Sequence, residues 1–159
     1  MASSTDRSHA TRLRVLVMGA GSMGSAIGGF LAKSGHDVTL VGRKAHMDAI
    51  RERGLRITGI WGEHLVTDLK VRTDVNGLRS GDFDLVIVAV KSYDTSAAAK
   101  AVAPLLDNAT LVCSYQNGLG NAERIAEVIG WPRTFGARVI YGVRIPEPGC
   151  AEITVIAQP

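Results

Sequence analysis

The stretch Val15-Leu16-Val17-Met18-Gly19-Ala20-Gly21-Ser22-Met23-Gly24 sets four apolar residues directly in front of a GxGxxG pattern. Three glycines at that spacing occur in many turns, so the flanks decide what they mean. Upstream, Leu13 to Met18 has the apolar, β-branched character of a buried strand. Downstream, Ser22 to Ser34 spaces Ile27, Phe30 and Leu31 as one face of a helix, which Gly35 stops with a left-handed cap. In the order strand, glycines, helix, Gly19 makes the tight turn, Gly21 lets the backbone approach a pyrophosphate, and Gly24 lets helix and strand pack closely. The start of the helix then presents unpaired N–H groups and a partial positive charge to that phosphate. Ala20, Ser22 and Met23 complete the loop and join the three glycines as candidate cofactor-binding residues.

Outward from this loop the chain alternates short β-branched runs with helical segments, the pattern of βαβ units around a mostly parallel sheet. Asp37 to Val41 is the second strand and Ala45 to Arg53 the second helix, closed by Gly54. Leu55 to Val71 alternates like one or two added strands around a turn at Gly62. Phe83 to Val90 is nearly continuous in apolar residues, as expected of a central strand covered on both faces. Thr95 to Leu106 is alanine-rich and helical until Pro104 disturbs its end. Thr110 to Tyr115 forms a further strand and Asn121 to Ile129 a further helix, with strand-like stretches at Gly136 to Ile145 and Ala151 to Ala157. The fold class is therefore α/β: a Rossmann-like, doubly wound, mostly parallel sheet over residues 13–159, preceded by a disordered polar extension at residues 1–12.

The chain has 159 residues, enough for one domain whose core needs no disulfide or structural metal. Hydrophobic residues at 46% and charged residues at 21% fit a folded domain rather than a disordered chain. No apolar run nears the roughly 20 residues that span a bilayer, and the polar stretch Met1 to Arg14 lacks the apolar segment of a secretory signal. Neither a membrane nor export is expected. Cys113 and Cys150 lie far apart inside strand-like segments, which reads as reduced, buried thiols and a cytoplasmic compartment. The net charge of +3 is scattered without an aromatic stacking surface, so no nucleic-acid partner is expected. His9, His36, His46 and His64 show no metal spacing and read as surface or packing residues; no metal is expected. Ser92 and Ser114 lack the GxSxG elbow of a hydrolase.

The strand ends decide which cofactor fits. A carboxylate about 20 residues after the glycines accepts hydrogen bonds from the ribose 2′-hydroxyl in NAD-type domains. Here that strand end reads Val41-Gly42-Arg43-Lys44. A guanidinium stands where a 2′-phosphate would be, and its planar fork suits a phosphate, with Lys44 as a second cation. The cofactor read from these residues is NADP(H). Lys91 ends the central strand at the same edge, where it can meet cofactor phosphate, ribose or substrate, or serve as an ordinary solvated cap. Gln116-Asn117-Gly118 ends the next strand. An amide there can bond nicotinamide, ribose or a substrate hydroxyl, while Asn-Gly is equally a common turn pair.

In their order and spacing, Val15 to Gly24, Val41-Gly42-Arg43, Val88-Ala89-Val90-Lys91-Ser92-Tyr93-Asp94-Thr95 and Gln116-Asn117-Gly118-Leu119-Gly120-Asn121 resemble the N-terminal domain of the ketopantoate reductase (2-dehydropantoate 2-reductase) family, over about Arg12 to Gln158. The resemblance implies an NADP-dependent oxidoreductase that reduces a 2-keto acid substrate, ketopantoate, to pantoate on the way to pantothenate and coenzyme A. It implies that Arg43 binds the 2′-phosphate and that Lys91 and Asn117 lie at the cofactor and substrate cleft. In that family a helical C-terminal domain supplies the catalytic lysine and a glutamate that helps hold substrate. The sequence stops at Pro159 with that helical domain absent, so no catalytic residue is expected within it and the fragment alone is expected to be inactive. An apolar face is expected where the helical domain docks, and with it self-association, as a homodimer. Two other readings stay open on the sequence alone: a non-catalytic NADP(H)-binding module, and the cofactor domain of another NADP-dependent hydroxy-acid dehydrogenase.

Overall fold

One glycine-rich helix is shared between two sheets. The structure, a computed structural model, describes residues 11–156, so most of the expected N-terminal extension and the last residue of the final expected strand, Ala157, lie outside the described residues. In chain order the elements are β1 (Arg14–Met18), α1 (Ser22–Lys33), β2 (Asp37–Val41), α2 (Lys44–Arg53), β3 (Leu55–Gly59), β4 (His64–Val66), β5 (Lys70–Arg72), β6 (Leu85–Val88), α3 (Thr95–Val102), β7 (Leu111–Ser114), α4 (Asn121–Ile129), β8 (Thr134–Gly136), β9 (Tyr141–Arg144) and β10 (Cys150–Ile156). Six of the strands form a wholly parallel sheet in the order β5-β2-β1-β6-β7-β8. The chain winds outward one way from β1 through β2 to β5, then returns to β6 on the other side of β1. That reversal opens a crevice beyond the C-terminal ends of β1 and β6, where ligands bind in open α/β sheets.

Alternate residues of β1 feed two cores. Val15 and Val17 join Val38, Leu40 and α1 on one face, while Leu16 joins Val86, Val88, Ala99, Val102 and Ile125 on the other. All three β1 side chains are fully buried, as the continuous apolar runs require of a sheet covered on both faces. The helix caps also follow local chemistry. Gly35, at φ +94°, donates to Ala32 O and His36 donates to Leu31 O, which closes the last turn of α1 in the left-handed form that glycine adopts without strain.

The second sheet differs from the expectation of one or two added strands. Leu55 to Val71 holds three strands, and they divide: β3 and β4 pair antiparallel, while β5 crosses to the edge of the parallel sheet beside β2. β9 and β10 complete a four-stranded sheet in the order β4-β3-β10-β9. α1 is caught between the two sheets, and its buried side is not the Ile27, Phe30, Leu31 face, whose members are only half-buried. Gly24, Ser25, Ala26, Gly28, Gly29 and Ala32 are the buried ones. A methyl group on Gly28 would come 2.5 Å from Leu40 of the parallel sheet, and one on Gly29 would come 2.7 Å from Ile57 of the other. Two sheets can approach one helix this closely only where its side chains are missing.

Candidate functional site

The glycine loop occupies the crevice and each glycine has its own constraint. Gly19 holds φ +103°, and a Cβ there would sit 2.6 Å from the Val90 nitrogen, so the loop lies against the end of β6. Gly24 has its Cβ position 2.2 Å from the Gly19 carbonyl oxygen, which folds the first turn of α1 onto the loop itself. At Gly21, by contrast, a Cβ would meet nothing within 4 Å. The fold leaves room on that side that a side chain would fill, as a backbone that must approach a phosphate requires. Gly21 caps α1 without a side-chain hydrogen bond, and Ser25 N–H bonds back to Gly21 O. The N–H groups of Ser22, Met23 and Gly24 therefore have no carbonyl within the helix, and no acid in the first turn competes for them.

A cleft of about 630 Å³ opens beside this loop. Of the residues singled out in the sequence, Gly19, Ala20, Gly21, Arg43, Lys44 and Lys91 line it; Ser22, Met23, Gly24 and Asn117 do not. Arg43 precedes α2, and its backbone carbonyl accepts from the N–H groups of His46 and Met47, which fixes its main chain at the cleft edge. Its side chain is exposed. Lys44 turns to Asp48 one helical turn on, and Arg51 bonds the same carboxylate, holding it below the usual carboxylate range. The two basic residues at this strand end are thus unequal. Gly42 packs on Ala20, where an added Cβ would come 3.1 Å from the Ala20 Cβ, so a side chain at that position has little room.

Lys91 lies past the end of β6, which closes at Val88, shorter than the expected Phe83 to Val90. A turn of 3-10 helix follows at Ser92–Asp94 and leads into α3. Behind it a buried polar network ties the β6 and β7 loops together. Gln116 Nε2 donates to Val90 O and to Thr95 Oγ1, both at 2.8 Å, and Asn121 Nδ2 donates to Asn117 O at 3.0 Å. The network fixes the backbone on either side of Lys91 and Asn117 while both side chains stay exposed. Tyr93 and Leu119, on the same two loops, are exposed as well. Among the described residues no cluster of histidine, cysteine or acidic side chains could hold a metal, and no helix is long and apolar enough to cross a membrane.

The far wall of the cleft was not legible beforehand. It is made by His46, Thr73, Asp94, Ile145 and Pro148. His46 is buried; its Nδ1 accepts from Gly149 N–H at 3.0 Å, which leaves the ring proton on Nε2, facing Ser25 Oγ at 2.9 Å. Burial lowers its pKa. The turn signals Pro146 and Pro148-Gly149 mark a loop, yet nothing in them says that β9 and β10 return it to the cleft.

This arrangement, a parallel doubly wound sheet with a glycine loop at its reversal point, is a Rossmann-like α/β domain. Residues 15–158 match the family model of ketopantoate reductase PanE/ApbA, and the chain belongs to that family. It is 39% identical over 140 residues to the 2-dehydropantoate 2-reductase of Pyrococcus horikoshii, covering 88% of this chain and 44% of that protein. It is 42% identical over 138 residues to that of Halobacterium salinarum, covering 86% and 45%. The crystal structure of a PanE/ApbA family ketopantoate reductase from Ralstonia eutropha superposes with a TM-score of 0.80 at 35% identity, over 87% of this chain and 45% of the other. The chain thus spans about half the length of the relatives it matches.

Proposed function

We propose that this chain is the NADP(H)-binding half of a 2-dehydropantoate 2-reductase, which reduces ketopantoate to pantoate on the route to pantothenate and coenzyme A. Family membership and the glycine-loop cleft support the reaction class. The observation that carries the choice of cofactor is Arg43, an exposed guanidinium at the cleft edge where a carboxylate would select NAD(H). NADPH, when bound, supplies the hydride that reduces the ketone.

This chain's residues hold and orient. Gly19 to Gly21 and the first N–H groups of α1 take the pyrophosphate, and Arg43 takes the 2′-phosphate. Lys44, committed to Asp48, contributes less. Lys91 and Asn117, on loops locked by the Gln116 and Asn121 network, position the nicotinamide end and the 2-keto acid. None of these groups is assigned as the acid that protonates the developing alkoxide, so the chain alone is expected to bind cofactor without turnover.

Titrating NADPH and NADH into wild type and Arg43→Ala at one salt concentration tests the assignment. A charge-assisted hydrogen bond contributes about 1.5–3 kcal/mol, so NADPH affinity should fall roughly ten- to hundredfold while NADH affinity stays within about twofold. Equal losses for the two cofactors would place Arg43 in support of the fold or the adenine, and the NADP(H) reading would lose its basis.

A further inference from the structure

The loop between β9 and β10, residues 145–149, contributes Ile145 and Pro148 to the cleft wall although it belongs to the second sheet. Pro146 and Pro148 have no N–H to donate, Arg53 reaches Pro148 O at a long 3.4 Å, and the Glu147 to Arg56 pair is exposed on the outer side. Gly149 is held on two sides: its carbonyl accepts from Arg56 N–H of β3 at 2.9 Å, and its own N–H donates to His46 Nδ1, the bond that ties the loop to α2. Gly149 is buried at φ +85°, and a Cβ there would come 3.2 Å from Ala49, one turn along α2 from His46. Through Nε2 the same imidazole faces Ser25 in the first turns of α1, so one ring joins the helix behind the glycine loop to the loop across the cleft.

We propose that His46, in its neutral form, is a positioning residue of the cofactor cleft, latching the 145–149 loop so that Ile145 and Pro148 face the glycine loop. The inference rests on the cleft being the NADP(H) site. The latch is specific to one protonation state. An imidazolium carries N–H on both nitrogens, so protonation would set two donors, Nδ1–H and Gly149 N–H, against each other and leave a buried amide without an acceptor. The surrounding charges do not offset this. α1 carries only Lys33, more than two turns from Ser25; Glu147 is held by Arg56; and on α2 Asp48 is held by Lys44 and Arg51, with Glu52 and Arg53 in the last turn. Arg43 precedes that helix, and Lys91 and Asp94 line the same cleft as His46. Burial already lowers the histidine pKa, so the latch is complete above the ordinary value of 6.5 and is lost as pH falls below it through the lowered value.

Three proteins decide the matter: wild type, His46→Leu and His46→Asn, the last keeping an acceptor near the Nδ1 position without a titrating ring. At pH 8, NADP+ affinity should fall about tenfold in His46→Leu, which leaves Gly149 N–H buried and unpaired, and return to within about threefold of wild type in His46→Asn. Between pH 8 and pH 5.5 wild type should lose more affinity than His46→Asn, by a factor below about tenfold because the lowered pKa lies under 6.5, the cofactor's own phosphate, which titrates near pH 6, weakening both alike. Imidazole nitrogen NMR shifts should show His46 as the Nε2–H form at pH 8, with Gly149 amide protection lost as it protonates. Equal NADP+ affinity in all three proteins, or the same pH profile in wild type and His46→Asn, overturns the role of His46. Failure of wild type to bind NADP+ at pH 8 while the NMR behaves as described overturns the cofactor reading instead, and the positioning role with it.

Discussion

The parallel sheet is covered on both faces, whereas the four-stranded sheet is covered on one. In β1, Val15, Leu16 and Val17 are all buried; in β3, Leu55 and Ile57 are buried and Arg56 between them is exposed. On the open face of the smaller sheet, Arg144 of β9 pairs with Glu152 of β10. The difference divides the labour. A sheet packed from both sides carries the glycine loop at its C-terminal edge, while the sheet with a free face carries the 145–149 loop, whose Ile145 and Pro148 line the same cleft. α1 touches both, so substitutions along it measure how firmly each sheet holds.

The largest effect is expected where no side chain can yield. Gly24→Val would drive a branched side chain into the Gly19 carbonyl, already 2.2 Å from the Cβ position. Backbone cannot rotate aside as a side chain can. The expected cost is about 3 kcal/mol or more, enough to remove the cooperative thermal transition of a marginally stable domain. A melting temperature within a few degrees of wild type by circular dichroism would mean that the first turn of α1 can move off the loop, and the parallel sheet would not be the rigid partner.

Gly28 and Gly29 are adjacent and face different sheets, which makes their alanine variants a direct comparison. Each gains about 1 kcal/mol of helix propensity and meets about 1–3 kcal/mol of overpacking. At Gly28 the obstacle is Leu40, with Val17 3.3 Å from the Cβ position, both backed by the doubly covered sheet. At Gly29 it is the ends of Ile57 and Leu55, on the sheet covered on one face only. Gly28→Ala should therefore lower stability by about 2 kcal/mol and Gly29→Ala by about 1 kcal/mol or less, read as urea midpoints at constant slope. The reverse order would show the smaller sheet to be the tighter clamp.

The same division explains what could be read in advance. Strands covered on both faces leave continuous apolar runs such as Leu85 to Val88, and the glycine loop, Arg43 and Lys91, which line the cleft, stand out in the sequence because they sit at the ends of those runs. The smaller sheet leaves only short alternating segments. β4 and β5 have three residues each, and their assignment to different sheets depends on the crossing after Val66, which has no local signature. α1 misled for a related reason. Its large residues form an apparent apolar face, but the helix lies between two sheets, and close approach selected the face with no side chains. The His46 wall of the cleft was illegible because its bond to Gly149 joins residues 103 apart.

The gentlest test uses a probe already present in each sheet. Cys113 lies in β7 of the parallel sheet and Cys150 at the start of β10 in the smaller one, and both are free and buried. Burial pushes the Cys113 thiol up to about 11, so at pH 8 it holds about a hundredfold less thiolate than an ordinary cysteine and reacts only when the chain opens. In Cys150→Ala the remaining Cys113 should label with a disulfide reagent at a rate that climbs steeply with urea, following global unfolding. In Cys113→Ala the remaining Cys150 should label faster at zero urea and with a shallower slope, because a sheet open on one face can separate locally while the other stays intact. The expected gap in opening free energy is about 1–3 kcal/mol, and neither variant should shift the global midpoint by more than about 1 kcal/mol. Equal slopes would mean that α1 welds the two sheets into a single cooperative unit, and the loop that carries Ile145 and Pro148 would then move only when the whole domain unfolds.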